Sequence, residues 1–73
     1  MAGGGDVMYF KRRGTLDVYV LMEGRYPPKR ANEHCILSPL NGQGEDIRRT
    51  RDHRKDFVRI DPLEALALVM NKR

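Results

Sequence analysis

The sequence predicts a small α+β domain, mostly β: a bent antiparallel sheet or partial barrel of four to five strands, closed by a C-terminal helix. Three observations carry this. Short β-favouring stretches recur along the chain, each bounded by glycine, proline or a charged turn. The clearest of them, Thr15 to Glu23, alternates apolar and polar residues. The last thirteen residues change to a helical pattern that opens at Asp61-Pro62. At 73 residues the chain makes one domain, and a chain this short buries only about 60% of the surface its unfolded form exposes. Residues 1–5 (MAGGG) read as a disordered tail and 6–73 as the single domain. Hydrophobic residues at 40% and charged residues at 33% suit a folded chain rather than a disordered one.

The first two strands, about 6–12 and 15–23, form a hairpin turning at Arg13-Gly14. Alternation places Leu16, Val18, Val20 and Met22 on a core face joined by Met8 and Phe10, with Tyr9, Lys11 and Tyr19 opposite. Tyr19 and Leu21 make the back face of the second strand partly apolar, as in a strand covered on both sides. Gly24 ends that strand, and Pro27 and Pro28 prevent RYPPKRANE from continuing it. Residues 33–38 (EHCILS) form the third strand, closed by Pro39 and followed by the Asn41-Gly42-Gln43-Gly44 turn. The window after it has two readings: an edge strand over 47–51, or a polar helical or disordered excursion. Residues 57–60 (FVRI) return to strand, with Val58 and Ile60 inward and Phe57 and Arg59 outward. Asp61 as N-cap, Pro62 in the first turn and Glu64 three residues after the cap predict a helix over 62–71. Its wheel puts Leu63, Leu66, Ala67 and Met70 toward the sheet, leaving Ala65, Leu68 and Val69 for a second copy or a protein partner. In architecture this order is similar to SH3-like or Sm-like barrels, although it contains no motif diagnostic of either.

Most classes of chemistry lack their residues. His34, Cys35 and His53 are too few and wrongly spaced for a closed zinc site, and Cys35 reads as a core residue. A Cys35–His53 nucleophile pair would need a charged loop to hold a base in place. Asp52 and Asp56 sit among basic residues and screen them rather than forming an acid–base pair. No glycine-rich phosphate loop is present: Glu45 and Asp46 follow Asn41-Gly42-Gln43-Gly44 and would repel a phosphate. The expectation is a protein that is not an enzyme and needs neither metal nor cofactor nor small-molecule substrate. RYPPKR resembles short proline-rich ligands, but such matches are frequent by chance and a surface loop stiffened by its prolines is the simpler explanation. With a single cysteine there is no intramolecular disulfide. No apolar run approaches the ~20 residues of a membrane span, and the N-terminus lacks the order of a secretory signal, so the chain reads as cytoplasmic.

What remains is charge. Arg48 to Arg59 holds six basic residues against Asp52 and Asp56, a surplus of four, while the rest of the chain balances itself; the whole formal net charge of +4 thus maps to this window. A positive window of this kind attracts polyanions. Arg48, Arg49, Arg51, Arg54, Lys55 and Arg59 are therefore the expected phosphate contacts, with Phe57 and Tyr26 as stacking faces for unpaired bases. The function expected is low-specificity binding of RNA or DNA. The alternative is a protein-interaction module or regulator docking through the apolar C-terminal helix, either of which can be built as a homodimer.

Overall fold

The structure, a computed structural model, describes residues 7–42 and 44–71; the expected tail at residues 1–5 lies outside the described residues. Five strands form one antiparallel sheet curled into a half-barrel, and a single helix follows them. The strands are β1 (Tyr9–Arg12), β2 (Val18–Glu23), β3 (His34–Pro39), β4 (Ile47–Thr50) and β5 (Phe57–Ile60), and the helix is α1 (Pro62–Asn71). Their order in the sheet is β4-β3-β2-β1-β5, so the chain returns after β4 to lay β5 against β1. A short 3₁₀ turn, Arg51–His53, makes that return possible. The basic window is therefore an edge strand, a helical turn and a second edge strand in succession, which combines its two expected readings.

The β1–β2 turn follows from Gly14. Its φ of +82° permits the tight reversal in which Thr15 N–H donates to Arg12 C=O at 3.0 Å. Arg12 N–H then bonds Asp17 C=O at 3.0 Å, so four residues separate the closing pair and β2 begins at Val18 rather than Thr15. Asn41 fixes that start. Its side-chain oxygen accepts from Val18 N–H at 2.9 Å and its amide donates to Leu16 C=O at 3.0 Å, doing for the backbone what another strand would.

The register sets Phe10 opposite Tyr19 and Tyr9 opposite Val20. Cross-strand partners share a face, so Phe10 lies with Tyr19 and not, as expected, with Val18 and Val20. Each face consequently has its own core. One joins Phe10, Tyr19, Cys35, Leu37 and Phe57, with Met8, Leu21, Tyr26 and Ile47 packed around them. The other joins Val18, Ile60 and Ala65, with Tyr9, Leu68 and Val69 packed against them. Val18 and Tyr19, adjacent in sequence and both buried, confirm that β2 is covered on both sides.

Ile60 is buried as expected, but the other β5 facing and that of α1 differ from expectation. On β5 Phe57 is buried at 4% exposure, whereas Val58 is 37% exposed. Register explains this: Phe57 pairs with Arg12 on the face of Phe10, and Val58 pairs with Lys11 on the other. On α1 the sheet-facing residues are Ala65, Leu68 and Val69; the set expected to face the sheet is outside, with Leu63, Leu66 and Met70 at 75%, 54% and 60% exposure. Ala65 is small enough to let the helix backbone approach Val18 and Ile60, and a bulkier residue there would hold it off. The cap itself is as expected: Leu63 N–H donates to the Asp61 carboxylate at 2.9 Å.

Candidate functional site

The site grows from Tyr26. Gly24, at φ +78°, turns the chain out of β2 where an added Cβ would lie 2.7 Å from the His34 carbonyl oxygen. Two residues on, a cis peptide joins Tyr26 to Pro27. The Tyr26 ring enters the main core edge-on to Phe10 and Phe57, with centroids 5.2 and 5.6 Å away. Its phenol O–H donates to the His53 carbonyl, and Phe57 N–H donates to the phenol oxygen at 3.1 Å. One side chain thus pins the β2–β3 loop to the turn before β5. Burial pushes the phenol above its usual pKa, with the hydrogen bond from Phe57 N–H pulling the other way.

This pinning creates an open groove of about 1070 Å³ on the main-core side of the sheet. Met8, Phe10, Leu21 and Tyr26 contribute apolar lining, and Arg25, Arg54 and Arg59 contribute cations. All three arginines are exposed, and among the described residues none has a carboxylate within 4.0 Å. Glu33 also lines the groove, but its carboxylate is turned back on its own loop, accepting from Lys29 and Arg30 N–H at 3.3 Å. An arginine fork without a carboxylate is available for an anion.

The basic window does not act as one surface. Arg54 and Arg59 line the groove, joined by Arg25 from outside the window. Arg51 and Lys55 are exposed on the intervening turn. Arg48 lies opposite Ile36, on the face away from Cys35, where its guanidinium reaches His34 Nδ1 at 3.3 Å. Arg49 is structural: it lies opposite Cys35, its side chain is 21% exposed, and it meets the Asp56 carboxylate at 3.8 Å. Phe57 offers no free face for stacking. Its ring is enclosed by Tyr19 and Tyr26 edge-on, with the Arg12 guanidinium 5.9 Å from its centroid. The expected partner residues Ala65, Leu68 and Val69 are likewise occupied in packing. Arg25 was the site residue hidden from sequence reasoning. The signal available for it was its neighbour Tyr26, a lone aromatic in an otherwise polar, proline-stiffened loop.

His34, Cys35 and His53 do not assemble a reactive centre. Cys35 has no exposed surface, and burial pushes its thiol up, away from thiolate. His53 Nδ1 is engaged by Thr50, at 3.1 Å from its N–H and 3.2 Å from its hydroxyl. Among the described residues no three His, Cys, Asp or Glu side chains gather where they could hold a metal ion, and no helix is long and apolar enough to cross a membrane. Compared with family models, curated proteins and solved structures, the chain matches none, and a functional reading must come from its own geometry.

Proposed function

We propose that this chain is a small, non-catalytic, cytoplasmic nucleic-acid-binding protein that neutralises phosphates with Arg25, Arg54 and Arg59, assisted by Arg51 and Lys55 on the adjoining turn. The observation that carries the reading is the convergence of three arginines, free of carboxylates within 4.0 Å among the described residues, on one groove. Charge of one sign gathered in a cleft steers a polyanion toward it. Sequence preference should be weak, because α1 offers an apolar exposed face rather than base-reading Asn, Gln or Arg. The test is fluorescence anisotropy with a random-sequence labelled RNA and DNA pool at two salt concentrations about fourfold apart. Binding that weakens steeply with salt and is lost in Arg54→Glu supports the reading. Equal binding by wild type and Arg54→Glu refutes it.

A second reading is favoured by one specific observation, the exposed stripe of Leu63, Leu66 and Met70 on α1. A protein-docking module would use this stripe rather than the expected Ala65, Leu68 and Val69. In that case Leu66→Glu abolishes function while the arginine substitutions spare it.

A further inference from the structure

We infer that the groove takes an unpaired nucleic-acid strand and discriminates against duplex, an inference that rests on the nucleic-acid reading above. The groove has two kinds of wall. Arg25, Arg54 and Arg59 demand an anion, while Met8, Leu21 and Tyr26, each partly exposed, place apolar and aromatic surface at the same opening. A duplex satisfies only the first, since its base planes are hidden in the stack and its exterior is phosphate, sugar and groove edges. An unpaired strand satisfies both, laying base faces against apolar side chains while its phosphates reach the rim. At about 1070 Å³ the opening matches the upper range of small-molecule pockets, enough to seat a nucleotide unit of such a strand.

Among the described residues, the rest of the molecule lacks the parts that read a duplex. A recognition helix enters the major groove with polar residues. Here α1 exposes Leu63, Leu66 and Met70, and Asp61 and Glu64 stand at its start, where phosphates would be repelled. The β1–β2 hairpin tip carries Arg12 and Arg13, but both are tied back. Arg13 Nε donates to Lys55 C=O at 2.7 Å, and Arg12 lies over Phe57. Neither element is free to enter a groove.

The experiment compares a labelled single-stranded oligonucleotide with the same sequence annealed to its complement, using the full chain and anisotropy across a salt series. The expected result is single-strand binding at least about tenfold tighter than duplex. For the single strand, the Arg54→Ala/Arg59→Ala double variant should lower the slope of log affinity against log salt by about 1.4, two phosphate contacts at about 0.7 each. Met8→Ala should weaken binding severalfold with the slope unchanged, because it removes apolar contact and no charge. Duplex binding as tight as single-strand binding overturns this inference and leaves the nucleic-acid reading standing. Absence of binding to either form removes both. Displacement of the oligonucleotide by poly-glutamate at equal charge concentration also overturns the inference, showing a site for acidic chains in general.

Discussion

Replacing Tyr26 with Phe removes one oxygen and leaves the ring. In the native protein that oxygen accepts from Phe57 N–H at 3.1 Å and its hydrogen is donated to the His53 carbonyl. The ring contacts with Phe10 and Phe57 do not depend on it. Tyr26→Phe therefore isolates the two hydrogen bonds, stranding one backbone donor and one acceptor in a partly buried place. Leaving a buried polar group unsatisfied costs about 1–3 kcal/mol, and partial access by water puts this pair together near ~2 kcal/mol. For a domain of this size each kcal/mol corresponds to about 4–8 °C, so Tm should fall by about 8–16 °C. A pH arm adds a second check. Burial raises the folded-state pKa of Tyr26, so its contribution is fully present below the unfolded value of about 10 and is lost as pH rises through the folded value. The stability gap between wild type and Tyr26→Phe should accordingly be constant up to about pH 10 and narrow above it. Thermal unfolding followed by circular dichroism at a series of pH values measures both. A variant with the wild-type Tm would refute the claim that this phenol pins the loop.

Five further substitutions probe other parts of the fold. Gly24→Ala forces a Cβ to within 2.7 Å of the His34 carbonyl oxygen and 3.2 Å of the Cys35 Cα at a positive φ. It should cost more than ~2 kcal/mol in urea denaturation; Gly14→Ala, also at positive φ but in open space, should cost only about 1–2 kcal/mol. Leu68→Glu puts a carboxylate where a partly buried leucine packs against the core of Val18, Ile60 and Ala65 and should destabilise by about 1–3 kcal/mol, whereas Leu66→Glu on the exposed stripe should change stability by less than about 0.5 kcal/mol. Light scattering on Leu66→Glu shows in the same samples whether that stripe joins two copies. Cys35, with no exposed surface and a thiol raised by burial, should resist Ellman's reagent at pH 7 until denaturant is added. Its contribution to stability should be lost as pH rises above about 9, and Cys35→Ala should remove that part of the alkaline decline.

The existence of the elements was legible because it depends on local chemistry. Asp61-Pro62 starts α1 wherever the helix ends up, and Gly14 supplies the positive φ that the β1–β2 turn needs. Facing depends on register, and register is a product of the loop. Four residues between Arg12 and Asp17 set Phe10 against Tyr19; one residue more or fewer would have given the expected pairing with Val18 and Val20. Because the sheet is covered on both sides, Phe57 and Ile60 are both buried though they point in opposite directions, and hydrophobicity alone cannot say which is which. The α1 wheel is ambiguous for a related reason: Leu63, Leu66 and Met70 rank above Ala65 in hydrophobicity, but close approach to Val18 requires the smaller residue. The candidate site was half legible. Charge counting found Arg54 and Arg59, yet it also enlisted Arg48 and Arg49, which adjacent positions on β4 send to opposite faces. Arg25 enters only through the Tyr26 hydrogen bonds, which join residues distant in sequence.

The rings of Phe10, Tyr26 and Phe57 line the groove and, in the same atoms, hold up the main core. Folding and occupancy are therefore coupled without any moving part. A ligand that fills the groove and has no affinity for the unfolded chain adds RT ln(1 + [L]/Kd) to stability, about 2.7 kcal/mol at a hundredfold excess over Kd. In a 73-residue domain that is a rise in melting temperature of about 10–20 °C, far above the scatter of a plate-based thermal scan. The protein can thus be used as its own ligand detector. Nucleotides, oligonucleotides and acidic peptides can be screened by melting alone.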